Sequence, residues 1–261
     1  MNVMRTSDLP HDNRRLPRIA ELDELAIDPA ALNGKNIVGF QTRSAAARPF
    51  NLLRTQVVKR CAQRGWKVIG VTSAEPGAGK SFVSLNLAAA LARVESQPVY
   101  LFDLDFSRAS VGAALNLAGS PSLADYLTGE TDDLRAIGRR VAGTNLAVFP
   151  TGTWRGSTAS LFSSARFGEL AAMMRQVPQG SIVLCDLPPV FASDDAMIIA
   201  QSLDAYLAVV NSGATNQKQL GEMFAMLDPA PRLGTVLNRY NGGFADPYGY
   251  GGYSRAYQDY Y

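Results

Sequence analysis

The stretch AEPGAGKS, Ala74 to Ser81, sets two glycines, a lysine and a hydroxyl side by side. Gly77 and Gly79 let the backbone approach an anion closely and turn its N–H groups inward, with Pro76 and Ala78 completing the loop. Lys80 brings a cation to the β- and γ-phosphates of a nucleotide, and the Ser81 hydroxyl is suited to ligate magnesium. From Phe82 onward the apolar run FVSLNLAAALARV predicts a helix, whose N-terminus adds a partial positive charge. The preceding run KVIGVTS predicts a strand. Strand, glycine loop and helix in that order form a P-loop, with one departure: the leading glycine of GxxxxGK[ST] is Ala74.

Carboxylates follow at two other strand ends, as a magnesium–nucleotide site requires. VYLFDLDFSR carries Asp103 and Asp105, with Arg108 three residues beyond, and period-two alternation points both aspartates to one side. IVLCDLPPV carries Asp186 after a largely apolar run, a Walker B arrangement. Magnesium keeps several waters, so one or two direct carboxylates suffice. A single aspartate at such a place serves equally as a strand-end cap; three of them in a P-loop chain weaken that alternative. In VLNRY, the Asn238 amide suits an adenine edge, although a turn residue would look the same. The expected nucleotide contacts are Pro76, Gly77, Ala78, Gly79, Lys80, Ser81, Phe82, Arg108, Asn238 and Arg239.

These groups need a scaffold that gathers strand ends. Strand-length apolar runs recur at 67–73, 98–105, 146–152, 181–189, 205–213 and 232–240, separated by amphipathic stretches such as SSARFGELAAMMRQV. Strands buried on both faces and alternating with helices predict an α/β fold with a mostly parallel twisted sheet flanked by helices on both faces. A further helix is expected over 47–65, ended by a glycine. Residues 1–40 read as a flexible arm, 41–240 as the nucleotide-binding domain, and 241–261 as a disordered tail. The tail holds Tyr248, Tyr250, Tyr253, Tyr257, Tyr260 and Tyr261 among glycines, with no aliphatic residue after Tyr248 except one alanine.

Composition excludes several classes of chemistry. The chain of 261 residues has a single histidine, so no histidine triad or multi-histidine metal site is available. Its two cysteines, Cys61 and Cys185, lack CxxC spacing and suggest a reducing cytoplasm. A net charge of +2 gives no reason to invoke nucleic acid. The sequence predicts neither a transmembrane helix nor a signal peptide.

From about residue 45 to 261 the chain resembles the bacterial tyrosine kinases, P-loop autokinases of capsule and exopolysaccharide export. The likeness rests on EPGAGKS, LFDLDFSR, DLPPV, SLADYLTGE, LFSSARF, VLNRY and the tyrosine-rich end. It implies a MinD/ParA-like subclass of the P-loop fold, with ATP and Mg2+ as cofactors. It implies that Lys80, Asp103, Asp105 and Asp186 are catalytic and that Ser81, Asp103 and Asp186 serve the metal; for the proton acceptor we take Asp103, with Asp105 the open alternative. The six tail tyrosines become acceptors, phosphorylated by a neighbouring copy. The twenty-one residues after Tyr240 reach at most about 70 Å when extended, enough to enter another subunit. The partners implied are a transmembrane polysaccharide co-polymerase that recruits the cytoplasmic chain to the inner face of the membrane, further copies of itself, and a tyrosine phosphatase.

Two positions depart from the family. Its subunit-contact helix carries Glu-x-x-Arg-x-x-Arg-Thr, whereas RPFNLLRT here has Arg48 and Asn51 at the first two places and keeps only Arg54 and Thr55. A weakened oligomer is expected. Positioning ATPases of the same fold carry an extra lysine early in the P-loop, where this chain has Glu75. Iron–sulfur scaffolds need paired cysteines, which are missing. A non-catalytic nucleotide-binding regulator with an interacting tail is the remaining rival.

Overall fold

All six apolar runs become strands of one sheet in a computed structural model, which describes residues 15–28, 32, 34–41, 44–117, 121–152 and 154–240. They are β2 (Val68–Ser73), β3 (Val99–Asp103), β5 (Leu146–Phe149), β6 (Ile182–Asp186), β7 (Ala205–Asn211) and β8 (Arg232–Asn238). Their order is β5-β3-β6-β2-β7-β8, and every pairing among them is parallel. Parallel strands require crossovers, so the chain returns through helices between them. The expected α/β sheet is the one formed.

Strict alternation builds two cores. Along β3, Tyr100 and Phe102 join one apolar cluster while Val99 and Leu101 join the other. Helix α1 (Arg48–Arg64) and helix α2 (Lys80–Ala92) cover the second face through Val57, Cys61, Val83, Leu87 and Leu91. Helix α3 (Ser110–Ala114) adds Val111 to that second core, whereas α4 (Leu123–Thr128), α5 (Leu134–Ile137), α6 (Thr158–Phe162), α7 (Ala165–Arg175), α8 (Asp195–Ala200) and α9 (Gln217–Leu227) cover the first face. Leu170, Ile199 and Met223 represent them in that core. The segments SLADYLTGE and LFSSARF meet there: Arg166 of α7 donates to Tyr126 O of α4 at 2.6 Å and lies 4.8 Å from its ring.

The sequence did not announce β1 (Asp23–Leu25) or β4 (Arg139–Val141). Each has three residues and begins with charges, so neither shows an apolar run. They pair with one another in parallel, and β4 runs antiparallel to β5, closing that side of the sheet. Glu24 and Arg140 stand opposite in the register and make a 2.6 Å ion pair, the favourable cross-strand arrangement for opposite charges.

This corrects the expected arm. Residues 15–28 are not a free linker, since β1 extends the sheet and Leu16 and Leu22 are buried in the first core. Farther on, Lys35 Nζ donates to Ala114 O and Asn116 Oδ1, both at 2.9 Å, tying residues 34–41 to the C-terminal end of α3. Truncating Leu22 to alanine should therefore destabilise the chain by about 2–4 kcal/mol, read by urea unfolding. An unchanged midpoint would mean that β1 does not contribute to the fold. Residues 1–14 and the tail expected over 241–261 lie outside the described residues.

Candidate active site

The C-terminal ends of β3, β6, β2, β7 and β8 lie in a row, where ligands of open α/β sheets bind. Strand β2 ends at Ser73 and the chain turns through Ala74–Gly79 into α2. Gly77 and Gly79 have φ of +83° and +89°, a left-handed conformation that side chains strain to adopt. At Gly79 a Cβ would also lie 2.1 Å from Asn238 Nδ2, so no larger residue fits. That asparagine donates to Ala78 O at 2.8 Å, clamping the loop from the end of β8. Its amide is thus engaged by the phosphate loop in this arrangement. Arg239, next along, is exposed with φ of +58°. Pro76 is exposed on the loop, while Phe82 is half-buried and packs edge-on against Phe50 of α1 at 5.6 Å.

The carboxylates divide into different roles. Asp103 closes β3 and stands in register with Asp186 of β6. Both are fully buried on the side of the sheet that α2 covers. Asp103 Oδ2 accepts the Val111 N–H at 3.0 Å and Oδ1 the Asp105 N–H at 3.3 Å, while Thr151 Oγ1 donates to its backbone carbonyl at 2.5 Å. Asp105 leaves the strand and forms a buried ion pair with Lys80 Nζ. Asp186 Oδ1 accepts the Ser84 hydroxyl at 2.9 Å, and its Oδ2 is buried with no hydrogen-bond partner. Burial first, then Asp186, pushes the Asp103 carboxyl up to about 7. Asp186 is raised as well, by burial, against the opposing pull of Lys80 and the Ser81 and Ser84 hydroxyls.

Magnesium and a nucleotide fit these residues. A buried carboxylate oxygen without a donor is a ready oxygen ligand, and Ser81 supplies a hydroxyl at the start of α2. Among the described residues no group of three or more His, Cys, Asp or Glu could hold a metal ion, so Asp186 and Ser81 would hold magnesium only together with ligands from outside the chain. Exposed Arg108 lies just past Asp105, its N–H bonded to Asp105 O at 3.1 Å. The structure thus gathers the P-loop, the three aspartates, Arg108, Asn238 and Arg239 along one edge. The six tail tyrosines lie outside the described residues.

Sequence reasoning missed Ser84 and Asp195. Ser84 was findable, since it follows Lys80 by four positions on a predicted helix and so shares its face. Asp195, at the start of α8, is buried and accepts Thr158 Oγ1 at 2.8 Å and Ser193 Oγ at 2.9 Å. Nothing in its sequence surroundings marked it as buried.

A family model described as NUBPL iron-transfer P-loop NTPase, of the ParA type, matches residues 66–218. The chain belongs to this P-loop NTPase family. Iron transfer is the family description's term, and this ParA-type chain holds its two cysteines apart, Cys61 in one core and Cys185 in the other. Burial pushes the Cys61 thiol up to about 11 and the Cys185 thiol higher still, so neither is a ready thiolate. Across most of its length the chain resembles bacterial tyrosine-protein kinases. Tyrosine-protein kinase YwqD of Bacillus subtilis is 27% identical over 221 residues, 84% of this chain and 92% of YwqD. Tyrosine-protein kinase wzc of Salmonella typhimurium is 28% identical over 211 residues, 79% of this chain but 28% of the relative. The solved VpsO kinase domain is 26% identical and superposes with a TM-score of 0.64, covering 73% of this chain and 97% of that domain.

In this ParA-type NTPase, Asn51 of α1 is engaged within the chain. Asn51 Oδ1 accepts from Arg93 Nη2, whose other terminal nitrogen donates to Gln41 O. Arg54 donates to Ala90 O at 3.3 Å. Asn51 therefore faces inward and ties α1 to the end of α2. Glu75 is likewise held within the chain, accepting from Gln219 of α9.

The raised carboxylates make stability depend on pH. Asp103 titrates near 7 when folded and near 3.8 otherwise, so folding favours its protonated form. That contribution is complete below the ordinary carboxylate value and is lost as pH rises through about 7. The melting temperature of nucleotide-free protein should fall between about pH 5 and 8, and magnesium with an ATP analogue should reduce the fall. A melting temperature that rises over this range would contradict the assignment.

Proposed function

We propose that this chain is an ATP-dependent protein tyrosine kinase that phosphorylates its own C-terminal tyrosines, in trans between copies. The observation that carries the reading is the Asp103–Asp105–Asp186 set around Lys80, in a chain with six tyrosines among residues 248–261. The kinase names of its relatives support it. Glu75 supports it over a positioning ATPase, because an acidic residue held by Gln219 replaces the lysine expected of that class.

Magnesium, when bound, supplies charge neutralisation at the transferring phosphoryl group. The chain's residues do the rest. P-loop N–H groups orient the phosphates, and Lys80 exchanges Asp105 for the γ-phosphate. The phenolic oxygen takes the phosphoryl group, its proton passes to Asp103, and ADP leaves. A base titrating near neutrality is matched to this task, and burial has moved Asp103 there. Asp103→Asn should therefore flatten the rise of kcat with pH around 7, whereas Asp105→Asn should lower kcat and keep the profile's shape. A flattened profile in the Asp105 variant instead would exchange the two roles.

The export role follows from the same resemblance: control of capsule or exopolysaccharide polymerisation beside a membrane co-polymerase, with a phosphatase resetting the tail. Among the described residues no helix is long and apolar enough to cross a membrane, and the chain matches 28% of the length of wzc. Inward-facing Asn51 predicts a monomer or weak oligomer for the isolated, unphosphorylated protein with ATP. Six tail phosphates would add roughly −9 to −12 charges and favour dissociation further. Light scattering tests this; a stable ring without the partner would show that α1 uses other contacts.

A further inference from the structure

Phe191 is a large apolar side chain left 37% exposed at the active-site edge. Slack in the backbone does not explain it. The segment after Asp186 is bonded along its length to β2 and the P-loop: Leu187 N to Val71 O at 2.9 Å, Val190 N to Ser73 O at 2.9 Å, and Phe191 N to Ala74 O at 3.0 Å. Thr72 Oγ1 donates to Pro188 O at 2.8 Å. At the far end, buried Asp195 anchors the segment through Thr158 and Ser193. Val190 is 1% exposed, and the very next side chain is turned outward. The ring is thus partly exposed on a backbone that is fixed at both ends.

Its place narrows the ligand. Phe191 is bonded to the first residue of the P-loop, with exposed Pro76 two residues farther along that loop. In the strand order β3-β6-β2-β7-β8, its segment leaves β6, between the Asp105 side and the P-loop. Asn238 ends β8, on the other side of the loop. The segment that carries Phe191 therefore passes beside the P-loop on the side of β3, which bears Asp103 and leads to Asp105, and away from Asn238. A phenol entering there has an apolar body to cover and a polar tip to deliver.

We propose that Phe191, with Pro76, forms the platform on which the acceptor tyrosine ring packs, making Phe191 a specificity-determining residue for aromatic acceptors. Serine and threonine have no ring to pack and would reach the site without this contact. The proposal rests on the kinase reading and adds the feature that selects the acceptor.

The test uses the full chain with its six tail tyrosines replaced by serine, so that no internal acceptor competes. With magnesium and a non-hydrolysable ATP analogue, a labelled peptide of residues 244–261 is titrated in. Phe191→Ala should weaken peptide binding about three- to tenfold, and Phe191→Tyr should restore it. Exchanging the peptide's tyrosines for phenylalanine should preserve binding, and exchanging them for leucine should weaken it. Affinity for the ATP analogue should stay unchanged in Phe191→Ala. Peptide binding indifferent to Phe191 would overturn the platform, as would a parallel loss of nucleotide affinity, which would assign the ring to adenine. Phosphotransfer is read separately on the unmodified chain: absence of phosphotyrosine would sink the kinase reading, whereas binding independent of Phe191 sinks the platform alone.

Discussion

Replacing Lys80 with methionine should abolish tail phosphorylation, with a loss of at least about a hundredfold, the order expected for removing one charge-stabilising donor from a buried transition state. The structure adds a consequence for stability. Lys80 is 5% exposed and its partner Asp105 is fully buried, so the substitution leaves a carboxylate without its counter-ion. Breaking such a pair from one side costs about 3–5 kcal/mol. A folded but inactive protein is therefore best sought in the double variant Lys80→Met with Asp105→Asn, which removes both charges together. That variant should melt near the parent temperature and show no phosphotyrosine. Wild-type phosphotyrosine in it would place the reaction elsewhere. A melting temperature no higher than that of Lys80→Met alone would mean that the ion pair is not what the single change disrupts.

Deleting residues 242–261 should remove nearly all phosphate incorporation while ATP binding stays as it was, because the P-loop and all three aspartates lie upstream. The described residues make this sharper. Tyr100, Tyr126 and Tyr206 are 3–4% exposed, and burial raises all three hydroxyls above the ordinary tyrosine value, so none is presented for transfer. Tyr240 is 42% exposed and is the one plausible acceptor among the described tyrosines. Isothermal titration with an ATP analogue and mass spectrometry of the truncated chain separate binding from transfer. Full phosphorylation of Tyr240 in the truncated chain would show that the tail is not the required acceptor. Loss of ATP binding would instead mean that the tail contributes to the nucleotide site.

The glycine loop and the strand-ending aspartates were legible because their chemistry constrains backbone and side chain together. Gly77 and Gly79 must adopt positive φ, and Asp103, Asp105 and Asp186 each follow an apolar run that can only be a buried strand. The six core strands were legible for the same reason. Strands β1 and β4 were not, since Asp-Glu-Leu and Arg-Arg-Val gain their structure from each other and from Leu16 and Leu22 beneath. How the aspartates share their work was also hidden. Alternation set Asp103 and Asp105 alike, yet Asp103 caps the N–H groups of Asp105 and Val111 whereas Asp105 takes Lys80. That difference arises from the turn after β3, which no periodicity describes. The change of an arginine to Asn51 read only as a lost contact in the sequence; its link to Arg93 needed the packing of α1 on α2.

The most direct test of kinase activity is to incubate the purified full chain with magnesium and γ-labelled ATP and to map every modified residue by mass spectrometry. Magnesium-dependent phosphotyrosine confined to Tyr248, Tyr250, Tyr253, Tyr257, Tyr260 and Tyr261 is expected, strengthened by the cytoplasmic segment of the proposed membrane partner. ATP consumption with phosphate released only to water, and no phosphotyrosine with or without that segment, would contradict the kinase reading.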